Sequence, residues 1–367
     1  MPDFAQLAGI GEAFVAAAID PLRWNAAMEV AARATGSFGA ALLPRPELRT
    51  PVFPHSETLE RASQAYVKDG WIKRDLRNNA LPALIRVGAA SDFDFISPDE
   101  MLRHPFYQEF LAPLGLRWFA SVKVGDGADL WCLSLQRSIA EGPFSPNELR
   151  RLADLSRRLS SAAELARAFG FARAEAALQA FETSGSAAAM MDSNGEVLRL
   201  NGSAERLLDA DLKIVGRRIV SFDPDATAAL DRALHRLIWA LEPEALSPPI
   251  PLRRRGRRPI LAYPSRAPSG LETFAQCRGF VAFVDLEARL VVEAADLARA
   301  FALTPAEARL ASRMFEDDSI ETAADKLGVA YETARKILKN VFAKTDTHRQ
   351  GQLVALMARI GQRNQKG

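Results

Sequence analysis

Three times the chain repeats one four-residue pattern: a hydroxyl residue, proline, any residue, glutamate. It occurs at Ser97-Pro98-Asp99-Glu100, Ser145-Pro146-Asn147-Glu148 and Thr304-Pro305-Ala306-Glu307. The hydroxyl caps free N–H groups at the start of a helix, and proline suits the first helical position because an N–H there would be unbonded anyway. The glutamate returns a bond to the cap. Local chemistry thus sets three helix starts, and the fold must be arranged around them.

At 367 residues the chain has room for roughly two to three domains. Up to about residue 135 helical and strand signals alternate: a helix opening at Asp20-Pro21, an apolar run Gly39 to Leu43, a helical stretch Thr58 to Asp69. Arg117 to Val124 and Asp129 to Gln136 flank Asp126-Gly127 and suit an antiparallel hairpin with a type I′ signal. Residues 1–145 are expected to form one α+β domain and 146–181 a connecting helix. Leu152, Leu155, Leu159, Ala162, Ala166 and Phe169 make a narrow apolar seam along that helix, which suits packing on its own domain and pairing in a dimer equally.

From Ser186 the period turns to strands. Ala187 to Met191 and Glu196 to Leu200 flank Asp192-Ser193-Asn194-Gly195. A short helix Ser203 to Leu208, a helix Ala226 to Leu241 and strand-like runs Pro259 to Tyr263 and Gly279 to Asp285 follow. The order of strand, turn, strand, Asn201 and helix resembles the opening of a PAS sensor domain, whose turn and following Asn match Asp192, Gly195 and Asn201. That resemblance implies a sensor unit over 182–290, and the first segment is more loosely similar to a GAF or PAS-related ligand domain. Five arginines in six positions, Arg253 to Arg258 around Gly256, require solvent or partners. They suit a hairpin tip, an auxiliary contact to anions or DNA backbone, or a contact to Glu316-Asp317-Asp318.

Beyond a linker at 291–300, residues 301–367 carry the most specific pattern. The Thr304 helix is followed by Ser319 capping a short helix that stops at Gly328, and a third helix begins at Tyr331. Two short helices about a glycine turn suit a helix-turn-helix. The third helix divides into an apolar stripe, Ala334, Ile337, Leu338, Val341 and Phe342, and an opposite face with Glu332, Arg335, Lys336, Lys339 and Ala343. A further helix, Arg349 to Gln362, would close the core.

This stretch resembles the LuxR/GerE-type DNA-binding domain through Leu303-Thr304-Pro305-x-Glu307, Ser319, Ala324, Leu327-Gly328-Val329, Thr333, Arg335, Val341-Phe342, Lys344 and Leu353-Val354. The resemblance implies that Thr333, Arg335, Lys336, Lys339 and Lys344 face double-stranded DNA. It places Ser319 near phosphates, and Tyr331 and Glu332 where base edges are read. It also implies a homodimer on an inverted repeat, with RNA polymerase as a further partner. Ile337, Ala330 and Thr345-Asp346 depart from the family's frequent His, Ser/Thr and Leu-Gly, so base preference does not transfer.

The expected fold class is therefore multidomain α+β: two PAS/GAF-like α+β sensor domains followed by an all-α, four-helix LuxR-type helix-turn-helix domain. The expected function is a ligand- or partner-responsive transcriptional regulator. The alternative is a protein-interaction regulator of anti-activator type whose DNA-binding domain is occluded by the sensor part. Aromatic residues nominate a ligand pocket: Tyr66, Trp71 and Asp75, with Phe106, Tyr107, Trp118 and Trp131. Tyr66 and Asp75 stand nine apart, as do the Tyr and Asp that grip the lactone in LuxR-type quorum sensors. Ala62 and Leu76 depart from that pattern, however, and lactone sensing is not expected.

Other chemistries find no motif. Cys132 and Cys277 have no disulfide or zinc spacing, His235 has no supporting haem motif, and no phosphate loop, GxSxG or HExxH occurs. No enzyme, metal or cofactor is expected, beyond an unidentified small-molecule effector. The N-terminus lacks a basic leader and no run approaches the roughly 18 apolar residues of a membrane span, so a cytoplasmic protein is expected. The formal charge of +2 hides a polarity: from Lys326 onward nine basic residues meet two acidic ones, +7, and the rest sums to −5.

Overall fold

The computed structural model describes residues 4–45, 52–127, 130–239, 248–267, 274, 277–288, 292–316 and 319–361. The chain is a mixed α+β protein. Its first part runs α1 (Phe4–Ile19), α2 (Trp24–Ala34), β1 (Gly39–Pro44), α3 (Glu60–Lys68), α4 (Leu81–Val87), β2 (Ala89–Ser91), α5 (Pro98–Met101), β3 (Leu116–Val124) and β4 (Trp131–Ser138), and ends in the 38-residue α6 (Pro146–Thr183).

The strands form one antiparallel sheet in the order β1-β4-β3-β2. The connection between β3 and β4 spans residues 125–130, longer than the two-residue turn expected, with 128 and 129 outside the described residues. Because side chains alternate along a strand, the sheet has two distinct faces. Leu42, Val122, Leu133 and Leu135 pack against α1, α2 and α6, with Phe14, Met28 and Leu159 fully buried among them. Each such side chain contributes roughly 2 kcal/mol of burial. The opposite face lies under α3, α4 and a turn of π-helix, Phe106–Leu111.

The Ser97, Ser145 and Thr304 caps all form, each with the N3 glutamate bonded back to the cap N–H. The α6 seam is spent within the chain: Leu152, Leu155, Leu159, Ala162 and Ala166 enter the first core, while Phe169 stays 41% exposed. Further along, Ala174 and Leu178 enter a second core with Ala188, Met190 and Phe280. The helix therefore contributes to the cores of both α+β parts.

The second part runs β5 (Ala187–Met191), β6 (Val197–Leu200), α7 (Gly202–Glu205), β7 (Leu212–Val215), β8 (Arg218–Ser221), α8 (Pro224–Trp239), β9 (Ile250–Arg254), β10 (Arg257–Arg266) and β11 (Gly279–Asp285). A five-stranded sheet has the order β6-β5-β11-β10-β9, beside a β7-β8 hairpin. In the β5–β6 turn Asp192 Oδ1 accepts the N–H groups of Asn194 and Glu196, and Gly195 takes a φ of +71°. Asn201 accepts from the Ala188 and Ala204 N–H groups and donates to the Ser186 carbonyl, tying the strand to the short helix. The residues that carried the sequence resemblance here hold the backbone together.

The last part is helical: α9 (Ala294–Phe301), α10 (Pro305–Phe315), α11 (Ile320–Leu327), α12 (Tyr331–Thr345) and α13 (Gln350–Gly361). The segment expected as a linker is thus largely a helix, because Leu297 finds a core with Leu303, Ala308, Val341, Leu353 and Met357. Among the described residues no helix is long and apolar enough to cross a membrane.

Candidate nucleic-acid interface and ligand pocket

In the helical part, α11 is capped by Ser319 Oγ, which accepts the Thr322 N–H at 3.2 Å. The helix stops at Gly328, whose left-handed φ of +65° turns the chain in a conformation that glycine adopts without strain. Val329 and Ala330 then lead directly into α12, which has no side-chain cap. Ala323, Ala324 and Ala334 are small enough to let α11 and α12 approach Leu310 and Met314 of α10.

That packing fixes which side of α12 turns inward. Ala334 and Val341 are buried and Ile337, Leu338 and Phe342 half-buried, whereas Tyr331, Glu332, Thr333, Arg335, Lys336 and Lys339 are exposed. Among the described residues Arg335, Lys336 and Lys339 form no hydrogen bond or ion pair.

Lys344 is placed differently. Its ammonium donates to Glu307 Oε2 at 2.7 Å and to the Ala302 carbonyl at 3.1 Å. The Lys344 bond, followed by the Thr304 N–H, holds the Glu307 carboxyl below its usual range. The lysine thereby joins the start of α10 to the end of α12.

The arginine run around Gly256 contrasts with the basic face of α12. Arg254 is buried and grips Asp285 with two nitrogens, Arg255 Nε donates to Asp211 at 2.7 Å, Arg257 pairs with Asp209, and Arg253 lies 3.9 Å from Asp223. Four of the five arginines thus face carboxylates of the same α+β part, while Arg258 meets Glu287 only through its backbone N–H.

The expected ligand residues separate into three places. Tyr66 and Asp75 come together, with the Tyr66 hydroxyl donating to Asp75 Oδ2 at 2.7 Å. Arg77, which sequence reasoning missed, donates to the same carboxylate through Nε and Nη2, both at 2.9 Å, and through its own N–H. Four donors fill the four lone-pair positions of Asp75, so it has none left with which to grip a ligand. Burial opposes the Asp75 charge, but the charge and hydrogen bonds of Arg77, with the Tyr66 hydroxyl, outweigh it and hold the carboxyl below its ordinary value.

Trp71, Phe106 and Tyr107 belong to the aromatic core under this group, with Trp71 stacked 5.5 Å from Phe110. Tyr107 donates to buried Asp92 at 2.5 Å, and burial pushes the Asp92 carboxyl up to about 6. Trp118 lies at the margin of the same core, with the Arg117 guanidinium 4.9 Å from its ring centre. Trp131 points to the other face of the sheet, into the core with α1, α2 and α6.

Two cavities abut the Tyr66–Asp75–Arg77 group. One of about 50 Å³ is lined by Tyr66, Asp75, Arg77, Leu84, Phe119, Ser121, Cys132 and Ser134. The other, about 40 Å³, is lined by Phe53, Tyr66, Arg77, Phe110, Ser134 and Gln136. Ser121, Ser134 and Gln136 went unnoticed in the sequence because polar residues alternating with Leu133 and Leu135 look like a solvated strand face. The helices that cover this face make it an interior one. His235 is exposed beside Trp239, and among the described residues no group of His, Cys, Asp and Glu could hold a metal ion.

No family model and no curated protein matches the chain. Among solved structures it is similar to a phage VqmA–DPO complex, at 16% identity over 53% of this chain and 91% of that one, with a TM-score of 0.21. It is also similar to the E. coli DhaR(N)–DhaL complex, at 13% identity over 77% and 86%, with a TM-score of 0.23. Likenesses this distant carry no argument about what the chain does.

Proposed function

We propose that the chain is a transcriptional regulator that binds double-stranded DNA through α12 and responds to a small molecule held in its first α+β part. One observation carries the reading: Arg335, Lys336 and Lys339 stand exposed on the outer face of α12 with no partner among the described residues, although four of the five arginines in the chain's densest run face carboxylates. Unpaired basic groups on a helix that follows a tight turn can donate to phosphates and to guanine edges in a major groove. The sequence resemblance to the LuxR/GerE-type domain supports the same face, and supports a homodimer on an inverted repeat.

In this reading the PAS/GAF-like parts and α6 bias the spacing of two DNA-binding units. An effector shifts that equilibrium only by its differential affinity for the two arrangements. No catalytic step is assigned, and the cytoplasm is the expected place of action. The test is an electrophoretic shift of the full chain on the DNA upstream of its own gene, repeated across salt. A shift whose logarithmic affinity falls linearly with log salt supports the reading. Absence of any shift at low salt sinks it, and favours the protein-interaction alternative.

A further inference from the structure

We propose that the two cavities beside Arg77 form one site for a small uncharged molecule that carries a carbonyl acceptor and an N–H donor, a short amide. The inference rests on the sensory half of the proposed function and adds the chemistry of the effector.

Two orphaned polar atoms point to it. Ser121 Oγ and Gln136 Oε1 belong to residues 1% and 4% exposed, and neither has a hydrogen-bond partner among the described residues. Each residue lines one cavity, while Arg77 and Ser134 line both. Ser121 pairs across the sheet with Ser134, and Gln136 follows two residues on, so the two orphans sit on diagonal positions about 7–8 Å apart along the backbone. Leaving such buried groups unpaired is unfavourable, and a matched ligand would relieve it.

Their roles set the ligand's polarity. Gln136 Nε2 already donates to Ser134 Oγ, so the free Oε1 can only accept, and the ligand must supply a donor. The Ser121 hydroxyl can donate to a ligand carbonyl. Arg77 assists, since it spends Nε and Nη2 on Asp75 while Nη1 makes no hydrogen bond among the described residues. Asp75 and Arg77 neutralise one another, so the pair offers a charged ligand no free counter-ion, and Arg45, which also lines the first cavity, donates to the Gly127 carbonyl. Size is bounded too: cavities of about 50 and 40 Å³ fall below the roughly 150 Å³ that accepts benzene, so a long acyl chain has no room.

The experiment titrates the full chain, without DNA, with acetamide and with acetone, followed by ligand-observed NMR. The two differ only in NH2 against CH3. The amide is expected to bind saturably and about ten-fold more tightly, the equivalent of one buried hydrogen bond. Gln136→Met, which keeps volume and removes the acceptor, should abolish that preference, and Ser121→Ala should weaken both ligands several-fold. If Gln136→Met does not fold, the loss in Ser121→Ala decides. Failure of the amide to bind, equal binding of the two by the wild type, or a preference that survives Gln136→Met overturns the site. The DNA shift is measured separately and stands or falls alone.

Discussion

Phe274, which follows the second sheet's β10 in the chain, lies with its ring 4.7 Å from that of Trp131 in the first part, and 5.2 Å from Trp24. It is 5% exposed and is held at a φ of +62°, a left-handed conformation that bulky residues rarely adopt. Strain of this kind persists only where surrounding contacts outweigh it, and here the contacts are two tryptophan rings.

Phe274→Ala should therefore destabilise the chain by roughly 2–4 kcal/mol, since it empties an aromatic site without relieving the backbone. The urea midpoint checks this, and an unchanged midpoint would mean that the ring contributes nothing.

Asp75 and Arg77 are a buried pair, so removing one partner strands the other. Asp75→Asn should cost roughly 3–5 kcal/mol, against about 1 kcal/mol for Tyr66→Phe, which removes only one of four donors. Thermal melts of the two variants would show the ranking. Because the folded pKa of Asp75 is depressed, its contribution is present above the unfolded carboxylate value and is lost as pH falls below it.

Asp92 works in the opposite sense. Its folded pKa of about 6 exceeds the unfolded value of 3.8, so the stabilisation is complete below the unfolded value and disappears as pH rises through 6. A loss of about 2–3 kcal/mol over that window is expected from this group, and Asp92→Asn should flatten it. Urea melts from acid to neutral pH read the difference.

On α12, Arg335→Ala and Lys339→Ala should each weaken DNA binding and lower the salt slope by about one, with stability changed by no more than about 0.5 kcal/mol. Wild-type affinity in both variants would show that α12 does not face DNA. Lys344→Ala should behave in reverse. It leaves buried Glu307 with the Thr304 N–H but without its cation, and costs roughly 1–3 kcal/mol of stability.

In the hairpin, Arg254→Leu should destabilise by roughly 2–4 kcal/mol through the stranded Asp285, while Arg253→Ser should be neutral. Neither should change the salt slope of DNA binding. A flattened slope in Arg253→Ser would show that the tip touches phosphates.

How far the sequence reached depended on how far apart the interacting residues lie. The Ser145 and Thr304 caps are settled within four residues, and the α12 stripe by the helical repeat alone, so both were legible. The segment 294–301 was not, because Leu297 becomes a core residue only when α10, α12 and α13 surround it. The aromatic residues of the first part were legible as a group. Their division between the two faces of one sheet was not, since that depends on which helices cover each face.

By itself, then, the sequence determined where the capped helices α5, α6, α10 and α11 start, where the β5–β6 turn forms, and which face of α12 is basic. Each of these rests on bonds or periodicities spanning a few residues. Only the tertiary structure decided which charges are free: Lys344 meets Glu307 across 37 positions and Arg254 meets Asp285 across 31, while Arg335 and Lys339 meet nothing among the described residues. It also turned Ser121, Ser134 and Gln136 inward. A strand's alternation says that its two faces differ, but the side that water reaches is set by what packs upon it.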